Sequence, residues 1–192
     1  MNISIEEKEA TRKKVAKPLL WLGIVSMIML FAGLTSAYVV RHAAGNWLAF
    51  ELPQLFYLST ALILMSSITM NWAIMSAKKG NLKNIKTALT LTLLLGIGFA
   101  LSQFGAWSQL INTGIFFTGN TSNASGQFLY ILTLLHLLHL AGGIITVSVS
   151  LSQSLKEKYN PQNLLGLQLC ATYWHFLDIL WIYLFLFLLF IR

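Results

Sequence analysis

The sequence predicts an all-α integral membrane protein, a bundle of five transmembrane helices with the amino terminus inside and the carboxyl terminus outside. Three observations carry that prediction. Of the 192 residues, 56% are apolar or aromatic and only 10% are charged, whereas a water-soluble domain holds about 25% charged residues. So little polar surface cannot cover a core in water. The charges are also segregated, because five long runs, 19–40, 53–77, 87–111, 127–151 and 167–191, contain a single one, Asp178. Finally, no run shows period-2 alternation, and each far exceeds the roughly 9–11 residues of a membrane β-strand.

Each run holds 22 to 25 residues, and a helix rising about 1.5 Å per residue crosses a hydrocarbon core of about 30 Å in roughly 20. The first run follows a segment, 1–18, that mixes Glu6, Glu7 and Glu9 with Lys8, Arg12, Lys13, Lys14 and Lys17. That segment is expected to form a short surface helix or to fray. Basic residues ahead of an apolar run also suit a cleaved signal peptide. However, the run's 22 residues exceed an h-region of about 7–15, and no small-x-small cleavage site follows, so it reads as a retained helix. Turn formers divide the later runs: Lys79-Gly80-Asn81, then Asn112-Thr113-Gly114 and Gly119-Asn120, then Asn160-Pro161-Gln162. The connectors leave no room for a soluble domain, so 19–191 reads as one membrane domain.

Orientation follows from Lys and Arg in the short loops, which bias a helix end toward the cytoplasm during insertion. The amino-terminal segment carries five, the second loop four (Lys78, Lys79, Lys83, Lys86) and the fourth loop two (Lys156, Lys158), against Arg41 and Arg192 on the other side. The net charge of +7 is thus a topology signal and an attraction to anionic headgroups, with Lys78, Lys79, Lys83 and Lys86 as the candidate headgroup contacts. Nucleic-acid binding is a poor reading of it. The single cysteine, Cys170, excludes a disulfide within the chain and a thiolate cluster, and reads as a small buried hydrophobe. Asn120-Thr121-Ser122 and Asn123-Ala124-Ser125 match the glycosylation acceptor pattern, which matters only in a secretory pathway.

Chemistry must sit on polar residues inside the runs, since a buried ionisable group in lipid costs several kcal/mol unless paired or solvated. There are four: His136 and His139, three apart on the fourth helix, and His175 and Asp178, three apart on the fifth. Thr133 and Gly143 share the face of the first pair, and Ala171, Trp174 and Trp181 that of the second. Counting depth at about 1.5 Å per residue puts Asp178 and His139 within roughly 5 Å of one level on antiparallel helices, so the two could meet. Two readings stand: packing polars that tie the helices together, and a proton relay. A metal or haem site fits poorly, because His136 and His139 on one helix face cannot supply opposite axial ligands, and a copper site wants three convergent imidazoles. Ser26, Gly33 and Ala37 on the first helix, and Gly96, Ala100 and Gln103 on the third, read as close-packing faces. No nucleotide loop, nucleophile with its base, or substrate cleft is present in the sequence pattern.

Four segments together resemble one family. Tyr173-Trp174-His175-Phe176-Leu177-Asp178-Ile179-Leu180-Trp181 is similar to the YWHFxDxxW signature of subunit III of haem-copper terminal oxidases. In order and spacing, His136-Leu137-Leu138-His139 with Gly142 and Gly143 resembles that family's HGLH helix, and Ser67-Ile68-Thr69 with Trp72-Ala73 its SIT(x)WA stretch. Phe31-Ala32-Gly33-Leu34 through Ala37-Tyr38 resembles the end of its first shared helix. The resemblance covers the chain from about Pro18 onward.

The resemblance implies the short, five-helix form of a non-catalytic subunit, most specifically that of a cytochrome c oxidase in a bacterial inner membrane. Such a subunit packs with subunit I, which carries the haem and copper, and with subunit II, and is compatible with a larger respiratory supercomplex. It is expected to bind phospholipids but no metal or redox cofactor of its own, and to sustain proton uptake and turnover stability. Where the family often carries a membrane Glu, this chain has Met27 after Ser26 and Ala106 after Gln103, so no proton-antenna role rests on those positions. Subunit III of a quinol oxidase or a nitric oxide reductase is the alternative within the family, and a small transporter or channel the alternative outside it.

Overall fold

The computed structural model describes residues 5–45, 47–119, 123–157, 159 and 164–191, with side chains described from residue 14. Its elements in order are α1 (Ile5–Ala43), α2 (Gln54–Lys78), α3 (Leu82–Asn112), α4 (Ala124–Leu155) and α5 (Leu165–Phe190). Among the described residues these five helices are long and apolar enough to cross a membrane, and no strand occurs.

α1, α3 and α4 are longer at both ends than the apolar runs that predict them, whereas α2 is its run shifted by one residue and α5 starts two residues earlier and ends one earlier than its run. α3 begins at Leu82 rather than at 87 and so takes in Lys83 and Lys86, while α4 spans 124–155 rather than 127–151. The cause is local: a helix leaving the hydrocarbon keeps its backbone bonds through the headgroup layer wherever a cap satisfies its free N–H groups. The Asn81 side chain accepts from the Asn84 N–H at 3.2 Å, after a turn in which Gly80 takes φ 70°. Asn123, the first residue of a glycosylation triplet, caps α4 by accepting from the Ser125 N–H at 3.1 Å. The triplet Asn120-Thr121-Ser122, the turn at Asn160-Pro161-Gln162, Lys158 and Arg192 lie outside the described residues.

The largest departure is in α1. The expected break between a surface segment 1–18 and the first span is absent, and one helix runs from Ile5 to Ala43 with Pro18 inside it. Proline removes a single i→i−4 bond, and the strong helix formers on either side carry the helix through it.

α2 and α3 form the most closely packed antiparallel pair, α4 packs on α3, and α5 lies against α1, α2 and α4. Among the described residues α1 packs on α4 and α5 alone of the helices, and its buried residues there include Ile24, Met27, Phe31, Thr35 and Tyr38. The small residues Ser26, Gly33 and Ala37 face outward instead, and a Cβ added at Gly33 would meet nothing within 4 Å. On this helix it is the large side chains that reach the bundle. On α3 the expectation agrees with the structure, for Gly96 and Gln103 are buried and Ala100 packs on the core.

Candidate functional site: the polar seam around α5

α5 is tied to α2 by three side-chain hydrogen bonds in antiparallel register. The indole Nε1 of Trp174 donates to Ser66 Oγ at 3.0 Å, that of Trp181 donates to Thr60 Oγ1 at 3.0 Å, and Ser67 Oγ shares a bond with His175 Nδ1 at 2.8 Å. Each of the first two hydroxyls passes its own proton to its helix, Ser66 to the Ile63 carbonyl at 2.7 Å and Thr60 to the Phe56 carbonyl at 2.7 Å. A hydroxyl used in this way is a donor inward and an acceptor outward, so the indole N–H is satisfied without exposing backbone.

Trp174 is wholly buried, and two glycines make room for it. A Cβ at Gly96 of α3 would lie 2.6 Å from its Cη2, and one at Gly143 of α4 would lie 3.3 Å from its Cε3 and Cζ3. The ring is therefore held between two backbones that only hydrogen side chains permit to approach this closely. One residue earlier, the Tyr173 hydroxyl donates to the His139 carbonyl at 3.0 Å; one residue later than His175, Phe176 packs partly buried on the core.

The four intramembrane ionisable residues separate into distinct environments. His139 donates from Nδ1 to the Leu135 carbonyl on its own helix at 2.7 Å and meets Phe31 edge-on, with centroids 5.8 Å apart. His136 is fully buried between Phe99, at 5.8 Å, and Trp181, at 5.1 Å. Neither of its ring nitrogens has a hydrogen-bond partner among the described residues, and the same holds for both amide atoms of buried Gln103. The Asp178 carboxylate is 2% exposed, with His175 Nδ1 at 3.7 Å from its Oδ2. Among the described residues His175 is the one imidazole within 4 Å of that carboxylate. The approach of His139 to Asp178 expected from depth does not occur: depth sets the level, but the rotation of α4 turns His139 toward α1.

At the basic end Lys78, Lys79 and Lys83 are exposed. Lys86 Nζ lies 3.2 Å from Glu157 Oε1 and ties α3 to the end of α4. Met27 and Ala106 are both buried, so these two positions contribute volume to the interior. Cys170 is buried, its thiol 3.7 Å from Thr146 Oγ1. Among the described residues no group of three or more His, Cys, Asp or Glu is placed to hold a metal ion.

Sequence reasoning missed Ser66 and Thr60, and also the ties Trp107 Nε1 to Thr133 Oγ1 at 3.1 Å, Thr69 to Thr92 at 2.7 Å and Tyr183 OH to Thr35 Oγ1 at 3.0 Å. The available signal was a weak one: hydroxyls that recur at helical spacing along α2, opposite the indoles of an antiparallel helix.

Fold and seam together define a multi-pass helical membrane protein in which several interior polar groups tie one helix to another. Its sequence matches the cytochrome c oxidase subunit III family over residues 12–191. It is 33% identical to the probable cytochrome c oxidase subunit 3 of Nocardia farcinica, over 91% of this chain and 86% of that one. It is likewise 33% identical to the probable cytochrome c oxidase subunit 3 of Mycobacterium leprae, over 90% and 85%. The cytochrome bo(3) ubiquinol oxidase subunit 3 of Pseudomonas aeruginosa is 32% identical, over 84% and 78%. The chain belongs to the cytochrome c oxidase subunit III family, and thus to the third subunits of haem-copper oxidases.

Proposed function

We propose that this chain is the structural, lipid-holding subunit III of a respiratory cytochrome c oxidase, seated in a bacterial inner membrane beside the haem- and copper-bearing subunit I and subunit II. It works by bracing its partner and sustaining proton uptake, and performs no redox step. The observation that carries this reading is the use made of the α5 signature. Tyr173, Trp174, His175 and Trp181 each hydrogen-bond a neighbouring helix, as expected of residues that fix a rigid docking body. The exposed Lys78, Lys79 and Lys83 suit anionic phospholipid at one rim, at about 1 kcal/mol per charge, and the basic asymmetry puts that rim in the cytoplasm.

A second reading has its own support: the Pseudomonas aeruginosa relative is named for a ubiquinol oxidase, and a Bacillus spizizenii relative, 31% identical, is named quinol oxidase subunit 3. The electron donor binds elsewhere in such complexes, so this chain serves either kind. The test is an oxidase preparation lacking the chain. The expected result is an intact haem spectrum and normal initial electron transfer, with activity that decays during turnover. A haem or copper signal lost while the partner subunits remain folded would refute the proposal.

A further inference from the structure

A cleft of about 450 Å³ opens between α1, α2 and α5, on the side of the bundle where α1 stands away from the other helices. Its wall is mostly apolar, and its polar lining is Lys17 from α1, Asn71 from α2, and Gln168, Thr172 and His175 from α5. The three α5 residues follow one stripe at steps of four and three, and the same stripe continues beyond His175 as Ile179, Ile182 and Leu186. The stripe therefore changes at mid-helix from hydrogen-bonding to hydrocarbon, and the polar half lies toward Lys17. On α1 the corresponding change is from Lys17 to buried Ile24 and Met27, where the helix rejoins the bundle and closes the cleft.

The closed end holds the polar cluster described above. The His175 side chain, 28% exposed, forms part of the cleft wall, and the Asp178 side chain behind it is 3% exposed. Ser67 reaches the same ring from α2 at 2.8 Å. Both carboxylate oxygens and His175 Nε2 lack a hydrogen-bond partner among the described residues. Among the described residues Lys17 is the one charged side chain in the lining, and neither His136 nor His139 of α4 comes within 4 Å of the carboxylate. Asn71 is exposed within the α2 span, where an amide facing acyl chains costs several kcal/mol, and Gln168 is exposed in the first turn of α5. Water removes that cost. The space is many times what one water requires.

We propose that this cleft is an aqueous vestibule, open on the side of the membrane where Lys17 lies and closed at mid-bundle, which brings water up to the ring of His175, with Asp178 sealed behind it. The inference does not depend on the phospholipid reading, which concerns the lysine rim. The vestibule is one-sided because the α5 stripe ends in Ile179 and Ile182, so it exposes the His175 ring to one aqueous compartment and offers no path to the other.

The test places single cysteines in the full chain in membrane vesicles, with Cys170→Ala as background, and measures reaction with a charged, membrane-impermeant methanethiosulfonate added to either side. Gln168→Cys, Asn71→Cys and Thr172→Cys are expected to react from the Lys17 side only, at least about tenfold faster than Ile179→Cys and Leu138→Cys, because the thiolate that reacts forms only in contact with water. Asn71→Cys reads the cleft from the facing helix should Thr172→Cys not accumulate. Labelling at Asn71 and Thr172 as slow as at Ile179 would mean that acyl chains fill the cleft, and equal labelling from both sides would mean a through-going channel. Either result overturns the proposal.

Discussion

Replacing Gly96 with alanine tests the packing around Trp174 most directly. The new methyl would sit 2.6 Å from Cη2 and 3.0 Å from Cζ2 of the indole, where carbon atoms rest at about 3.5–4.0 Å. The ring must therefore retreat by about 1 Å. It has nowhere to go, because the α4 backbone at Gly143 stands behind it, with a built Cβ 3.3 Å from Cε3 and Cζ3, and its Nε1 is bound to Ser66 at 3.0 Å. Overpacking of this kind costs about 1–3 kcal/mol, and strain on the indole bond adds up to about 1 kcal/mol. Alanine's better helix propensity returns about 1 kcal/mol, which leaves a net loss of about 0–3 kcal/mol, and a larger gap to a control that gains the propensity without the clash. Gly33→Ala is the control, since its methyl meets nothing within 4 Å; it should be neutral or slightly stabilising. Unfolding of the purified chain by SDS in mixed micelles, followed by circular dichroism, measures both. Gly96→Ala should cost less in a Trp174→Phe background than in the native chain, because the clashing ring atoms are gone, giving a coupling of about 1 kcal/mol. If Gly96→Ala is as stable as Gly33→Ala, the indole is not confined between the two backbones and the account of the seam is wrong.

Trp181→Phe removes the bond to Thr60 and part of a ring packed on Phe99 and His136; a loss of about 1–2 kcal/mol is expected in the same assay, and an unchanged midpoint would count against the α2–α5 tie. Cysteines at Lys83 and at Thr118 should label from opposite sides of intact vesicles, as the basic asymmetry requires; labelling of both from one side would break the five-span topology. Replacing Lys78, Lys79 and Lys83 together by Gln should lower retention of anionic lipid on purification by about 1 kcal/mol per charge, read by mass spectrometry of co-purified phospholipid, and unchanged retention would remove the lysine rim as a lipid site.

The number and order of helices were legible because the bilayer imposes a length on every apolar run. Their ends were less so. Lys83 and Lys86 look like loop residues to a hydropathy reading, yet a helix capped at Asn81 runs through both. Facing was harder still. Small residues serve equally well against lipid or against a helix, so Ser26, Gly33 and Ala37 carried no direction, while Phe31 and Tyr38 became the buried contacts of α1. Within the seam, the identities of His136, His139, His175 and Asp178 were plain from the sequence, but their partners depended on helix rotation. A shift of one residue along α4 moves a side chain about 100° around the axis and only about 1.5 Å in depth, so a depth count that is nearly right can still join the wrong pair. The hydroxyls of Ser66 and Thr60 were illegible for another reason: such groups normally satisfy themselves on their own backbone, and nothing in the sequence marks which of them also accept from an indole.

The unbroken α1 has a consequence for the segment ahead of the membrane. At about 1.5 Å per residue, its 39 residues extend for roughly 58 Å, against about 40–45 Å for a bilayer with its headgroups. Some 13–18 Å of helix therefore stands in water as a stem, and its azimuth is geared to the buried face of Ile24, Met27 and Phe31. One residue inserted between Ile5 and Lys14 would turn everything before it by about 100°, whereas seven would restore its bearing to within about 20°. Length changes in that stem should therefore be tolerated by phase rather than by size.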